Sequence, residues 1–396
     1  MSKIFIEEET LTAICDAIRE KEGSSELVPV NDMSARIMAI QSGGGSGGED
    51  LPEEAFSISG DCSYRFYNSA WDWFIDSYGD RVTTEGITSL EYTFYESTVE
   101  KIPFVINNTG NMFTYAFYSI NNLTECPKIR GPVINASGAR LSNMVSSCSR
   151  IRDFEDLFES GMLDGFSTFK VTSSTNAPRV LTFAYCYSLR RVPTWWRKLI
   201  VSPDSTTNPG VGYVLYANAF SSCGALDEVL DIPVLVTQVA FTSNMFTSSF
   251  NQAYRIKAVT FETNDGQPIA ANWKTQTIDL SQATGYSNTG RVYIIDYNSG
   301  ITADKEVKDD ATYQALKNDP DWFTTNIAYS RYNHDSAVET INSLPDTSAY
   351  LASAGGTNTI KFKGAQGSLT DGGAISDLTA EEIAVATAKG WTVTLV

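Results

Sequence analysis

The chain has 396 residues, 42% of them hydrophobic, which is enough to bury a substantial core, and its 47 acidic against 29 basic residues leave a net charge of −18. This balance excludes nucleic acid and a bare anionic membrane as partners, because both need clustered Lys and Arg. Six scattered cysteines without a C-x-x-C pair, and a single histidine, His334, argue against a zinc site and a disulfide framework, so no metal and no cofactor is expected.

The chain opens with MSKIFIEEETLTAICDAIREKEG, which lacks the basic end and apolar core of a secretory signal. No stretch approaches the roughly 18 apolar residues of a membrane span, so no membrane insertion is expected. SLPDTSAY, Ser343 to Tyr350, is similar to a wall-sorting signal but has Ser348 where glycine belongs, and no apolar anchor follows. Residues 1–41 are predicted to form a small helical hairpin. Leu11, Ile14 and Ile18 share one helical face, Asn31 or Asp32 can cap a second helix, and Met33, Ile37 and Ile40 recur along it at helical spacing. A unit this short gains stability by docking or self-association, so these six apolar residues are its candidate attachment face. SGGGSGGED, residues 42–50, reads as a flexible linker.

Beyond the linker the helical period fades and a module recurs. An aromatic or branched anchor stands six residues before a Leu or Ile: Phe117 before Leu123, Val145 before Ile151, Phe183 before Leu189, Phe220 before Leu226 and Phe250 before Ile256. A shorter copy pairs Phe94 with Val99. Variable steps with fixed internal spacing indicate repeats carrying insertions. Cys148, Cys186 and Cys223 each lie three residues after an anchor, where Ser97 and Ile120 stand in other copies, so the position reads as a small core site rather than a nucleophile. Farther on, RVYIIDYNSG reads as a strand and turn. Asp304, Glu306, Asp309 and Asp310 read as an acidic helix entry, since the pattern of a calcium loop is missing. Near the end, Asp377 or Thr379 can cap a helix with Glu381 and Glu382 in its first turn, Gly390 can stop it, and WTVTLV alternates as a strand.

The module, clearest in AFSSCGALDEV and AYCYSLRRVP, resembles BspA-type leucine-rich repeats over residues 85–265. The resemblance implies an α+β repeat fold: the helical hairpin, an N-terminal cap over residues 51–84, an irregular leucine-rich-repeat solenoid over 85–265 and a C-terminal α/β capping region over 266–396. Leu11 to Ile40 is similar to the N-terminal segment of tail and baseplate-associated proteins of bacteriophages, and NHDSAVETINSLPDT with DLTAEEIAVATAKGWTVTLV is similar to closing segments found in the same genes. This second resemblance implies a non-enzymatic virion tail protein, made in the host cytoplasm and attached by its N-terminal helices. Its implied partners are other tail or baseplate proteins and a host-surface glycan or protein, and it would be a homo-oligomer in the virion. The alternatives are a purely structural tail subunit and a polysaccharide-degrading tail enzyme; the missing signal and anchor disfavour a bacterial surface antigen.

Candidate binding residues lie in the longest insertion between anchors, VPTWWRKLIVSPDSTTNPGVGYVLYANAF, which holds Trp195, Trp196, Arg197, Tyr213 and Tyr216; Trp273 belongs to a second loop. Flat rings bury area at low entropy cost in interfaces and against sugars, although the same tryptophans could close a gap in the core. No nucleophile elbow, phosphate loop or dinucleotide fingerprint occurs. Asp72 and Asp76, beside Trp71 and Trp73, are the carboxylate pair a glycosidase would need; the alternative is that the tryptophans pack over the first repeat while the acids face water. His334 reads as a residue at a helix start, next to Asn333 or Asp335.

Overall fold

A computed structural model describes residues 56–167, 181–200, 216–234, 244–262, 271–283, 291–295, 302–306, 324–327, 332–364 and 372–396. The chain divides into two compact units, Met1–Glu54 and Ala55–Val396. The expected helices of residues 1–41, their residues Leu11, Ile14, Ile18, Met33, Ile37 and Ile40, and the linker of 42–50 all lie outside the described residues.

The second unit opens with strand β1 (Phe56–Asp61), helix α1 (Asp72–Tyr78) and strands β2 (Val82–Ser89), β3 (Val105–Met112) and β4 (Lys128–Arg130). The strands form one parallel sheet in chain order. Val82, Thr84, Ile87 and Ser89 of β2 are buried. Strict alternation would expose Ile87; Gly86, at φ +59°, lets the strand skip a residue so that the buried set resumes in phase.

Between strands the chain passes through the recurring module, which folds as a turn. Two residues four positions apart take left-handed backbone in successive copies: Tyr64 and Asn68, Tyr92 and Glu96, Tyr115 and Ser119, Asn143 and Ser147. Neighbouring turns bond through the backbone, with Phe66 N–H donating to Thr93 O (2.9 Å), Phe94 to Ala116 (2.8 Å) and Phe117 to Met144 (2.8 Å). These bonds set the anchors over one another. Phe66, Phe94 and Phe117 stack with centroids 5.2 and 5.5 Å apart, and Phe183, Phe220 and Phe250 follow at 6.3 Å each. The cysteines stay in register, each thiol donating to the anchor carbonyl of the copy before it: Cys148 to Phe117 (2.9 Å), Cys186 to Val145 (3.1 Å) and Cys223 to Phe183 (3.0 Å).

The architecture nevertheless corrects the expected leucine-rich-repeat solenoid with its terminal caps. The described residues form a mixed α/β fold with few helices and small sheets. Besides the first sheet there is a parallel pair, β5 (Val229–Ile232) with β6 (Ala258–Phe261). A parallel trio joins β7 (Thr277–Asp279), β11 (Asn358–Phe362) and β12 (Trp391–Leu395). An antiparallel trio joins β8 (Arg291–Ile295), β9 (Thr302–Glu306) and β10 (Thr324–Ile327). Among the described residues no continuous ladder runs through the copies, whose strand segments are short and punctuated. Pro103, Pro127, Pro193 and Pro233 each lack a backbone donor, and around the Val145 copy the described pairing shrinks to isolated bridges, Met112 with Arg140 and Ile129 with Phe158. Asp304 and Glu306 are also corrected: they lie on strand β9, paired with β8, rather than at a helix entry, while Asp309 and Asp310 fall outside the described residues.

The C-terminal part carries helices α2 (His334–Ser343), α3 (Ser348–Ala354) and α4 (Ala380–Ala388). Asn333 caps α2 through Ser336 N–H (2.9 Å), and α2 packs on β6 with Ala337 and Ile341 buried. Thr379 and Glu382 form a reciprocal capping box on α4. Gly390 ends that helix at φ +84°, where a side chain would meet Thr347 Oγ1 at 2.8 Å, and the chain turns directly into β12.

Candidate functional site

The expected binding rings are core residues. Trp195, 7% exposed, sets its indole N–H on Phe154 O (2.9 Å) and its ring against Phe158, with centroids 5.1 Å apart. Trp196 packs on Phe220 at 5.1 Å. Tyr216 stacks on Phe246 at 5.0 Å and donates its hydroxyl to Pro233 O (2.6 Å). Trp273 is fully buried between Phe246 and Trp391. These rings fill the interior where the stacked phenylalanines leave room, so none is presented to a ligand. Arg197 is the exposed member of the set, paired with Asp231 (3.2 Å) and Glu262; Tyr213 lies outside the described residues.

Of the other chemical candidates Asp76 is exposed, and Asp72, the cysteines and His334 are engaged in structure. Asp72 is buried and accepts from Ser97 Oγ (2.5 Å), Thr98 N–H (2.7 Å) and Thr98 Oγ1 (2.6 Å), tying α1 to the neighbouring turn. Burial, with the Asp72 and Glu100 carboxylates nearby, pushes the Asp76 carboxyl up. Burial raises the thiols of Cys148 and Cys223 well above the usual range and that of Cys186 to about 12, which leaves these cysteines without nucleophilic character at neutral pH. His334 Nε2 meets Glu382 at 3.1 Å beside a shallow cavity of about 580 Å³ bounded by Thr260, Val338 and Asn342. Burial disfavours the imidazolium there, but hydrogen bonds to Glu382 and Asp335 outweigh it and raise the pKa. Among the described residues no group of three or more His, Cys, Asp and Glu could hold a metal ion, and no helix is long and apolar enough to cross a membrane.

The feature that stands out on the surface is a double file of tyrosines. The tetrapeptide Tyr-x-Phe-Tyr occurs at 64–67, 92–95 and 115–118, the phenylalanine being the buried anchor each time. Because adjacent turns are hydrogen-bonded side by side, the first tyrosines form one file, Tyr64, Tyr92 and Tyr115, with centroids 4.9 Å apart at both steps. The second tyrosines form another, Tyr67, Tyr95 and Tyr118, at 5.2 and 5.1 Å. Rings within a file stack at 5–20° between planes, and the two files meet edge to face or tilted, at 5.1 to 6.0 Å. Tyr64 is 57% exposed and the other five are half-buried. Burial raises the Tyr92 phenol, and burial with the hydrogen-bonded Glu96 carboxylate pushes that of Tyr95 up to about 12, so both remain protonated donors at neutral pH.

The first file is held at a conformational cost. Tyr64, Tyr92 and Tyr115 sit at φ +62°, +55° and +56°, a region that bulky residues avoid. In later copies the left-handed position is held by Asn143, Asn218 and Ser248, asparagine being the residue type that tolerates this backbone most cheaply after glycine. Three consecutive tyrosines in that place stay outside the buried core, with Tyr64 exposed and Tyr92 and Tyr115 half-buried. Reading the module from its Phe and Cys anchors passes over this signal, although the threefold Tyr-x-Phe-Tyr is plain in the sequence once Phe66 is taken as an anchor. No protein family matches the chain, and no curated protein and no solved structure matches it.

Proposed function

We propose that this protein is a non-enzymatic bacteriophage tail protein that recognises the host surface through its tyrosine face. The observation that carries the recognition is the double file of six tyrosines outside the core, the first file of three being kept there at a backbone cost. The virion setting is supported by the similarity of Leu11 to Ile40, and of the closing segments, to phage tail and baseplate-associated proteins. In this reading the N-terminal segment attaches the protein to other tail proteins, and several copies per particle turn weak single contacts into firm adhesion through effective concentration.

The test is phage adsorption in the presence of the purified full chain, beside a chain carrying Tyr92→Asn and Tyr115→Asn. Saturable blocking by the first and none by the folded second is the expected result. If the folded wild-type chain does not block, the face is covered by neighbouring subunits and the role is structural.

A further inference from the structure

We infer that the tyrosine face takes a neutral, unbranched glycan laid along the files, with one sugar ring over each tyrosine rung. This inference rests on the recognition role proposed above and specifies its ligand.

The argument begins with the spacing. The rungs repeat every 4.9 to 5.2 Å, a distance imposed by hydrogen-bonded neighbouring turns. An extended peptide advances about 3.3 Å per residue, or roughly 6.6 Å between side chains on one face, so it leaves register by the second rung. A nucleic-acid strand advances about 3.4 Å per nucleotide and meets the same mismatch. A pyranose unit in an extended glycan is one rung long, so the register holds across all three rungs.

Chemistry and charge point the same way. Ring faces inside the files are occupied by their neighbours, leaving edges and hydroxyls spaced like the hydroxyls of a sugar chain. The terminal Tyr64 is the most exposed ring of the six and provides the flat face on which an end sugar can stack. Glu91 lies near Tyr92 and Glu96 is bonded to Tyr95, and Arg65 is the basic residue within the three tetrapeptides, so an anionic glycan would meet repulsion and a neutral one would not.

The test uses the full chain on an array of neutral, unbranched, β-linked oligomers of glucose, N-acetylglucosamine, galactose and mannose, from two to six units long, with calorimetry on the best series. Affinity is expected to rise about tenfold from disaccharide to trisaccharide and then to level. Tyr92→Asn, which removes one ring of the middle rung at a position where asparagine stands in other copies, should abolish that rise in a chain that still folds. Absence of binding to every oligomer, binding without length dependence, or full binding by folded Tyr92→Asn would overturn the inference. Adhesion of the same chain to host cells separates this failure from that of the broader role. Adhesion that depends on Tyr92, survives periodate and is lost after protease treatment of the cells would leave recognition standing and replace the glycan with a protein receptor. No adhesion at all would remove both.

Discussion

Two sets of aromatic files run side by side through residues 64–118, and they differ in which way the turn points them. Phe66, Phe94 and Phe117 stack at 5.2 and 5.5 Å in a dry core, while the tyrosines on either side of them stack at nearly the same spacing with their edges in water. The backbone repeat sets the period for both. Burial then makes the inner file the one that stability depends on, because an inner ring removed leaves a cavity and an outer ring removed leaves solvent.

This contrast can be broken most severely from the inside. Phe94→Ala should cost about 3–5 kcal/mol, read as a lowered denaturant midpoint, whereas Tyr92→Asn, two residues away, should stay within about 1 kcal/mol of wild type, lost stacking being offset by relief at φ +55°. If both variants were equally destabilised, the tyrosines would belong to the core. Asp72→Ala comes next. It strands Ser97 and Thr98, so a loss of about 1–3 kcal/mol is expected, while Asp76→Ala should be neutral or slightly stabilising because it relieves a disfavoured charge. Hydrolysis of a glycan that vanished in both variants without loss of fold would reverse the structural assignment of this pair.

A smaller effect concerns the thiols. Cys148, Cys186 and Cys223 should resist a thiol reagent in the native state and react together on unfolding, since each is buried and bonded to a neighbouring turn. Smallest is the contact of His334 with Glu382. The folded imidazole pKa is raised, so its contribution is fully present below the ordinary value of about 6.5 and fades as pH rises through the folded pKa. The advantage of wild type over His334→Gln in unfolding midpoint should therefore be larger at about pH 5.5 than at about pH 8. An advantage independent of pH would mean that the contact is not charged.

Much of the local structure was legible. The anchors and the small column of Cys148, Cys186 and Cys223 follow from spacing, and Asn333 and Thr379 could be read as helix starts because capping is a local matter of side chain and backbone. Burial of Trp195, Trp196 and Trp273 was not legible, since a tryptophan in an insertion looks the same whether it faces water or fills a gap between stacked phenylalanines. The tyrosine face escaped for a related reason: residues 28 and 23 positions apart in sequence become neighbours at about 5 Å only when turns pair, and no local pattern records which side of the turn faces out.

The sequence by itself determined the anchor spacing within the module and the helix caps, because these depend on contacts within a few residues: apolar anchors at fixed offsets and side chains bonding nearby backbone. Only the tertiary structure decided that the copies stop short of one continuous ladder, that the tryptophans close the interior and that six tyrosines line up on the outside. Those outcomes depend on competition for a shared core, in which each ring is buried or exposed according to the space its distant neighbours leave.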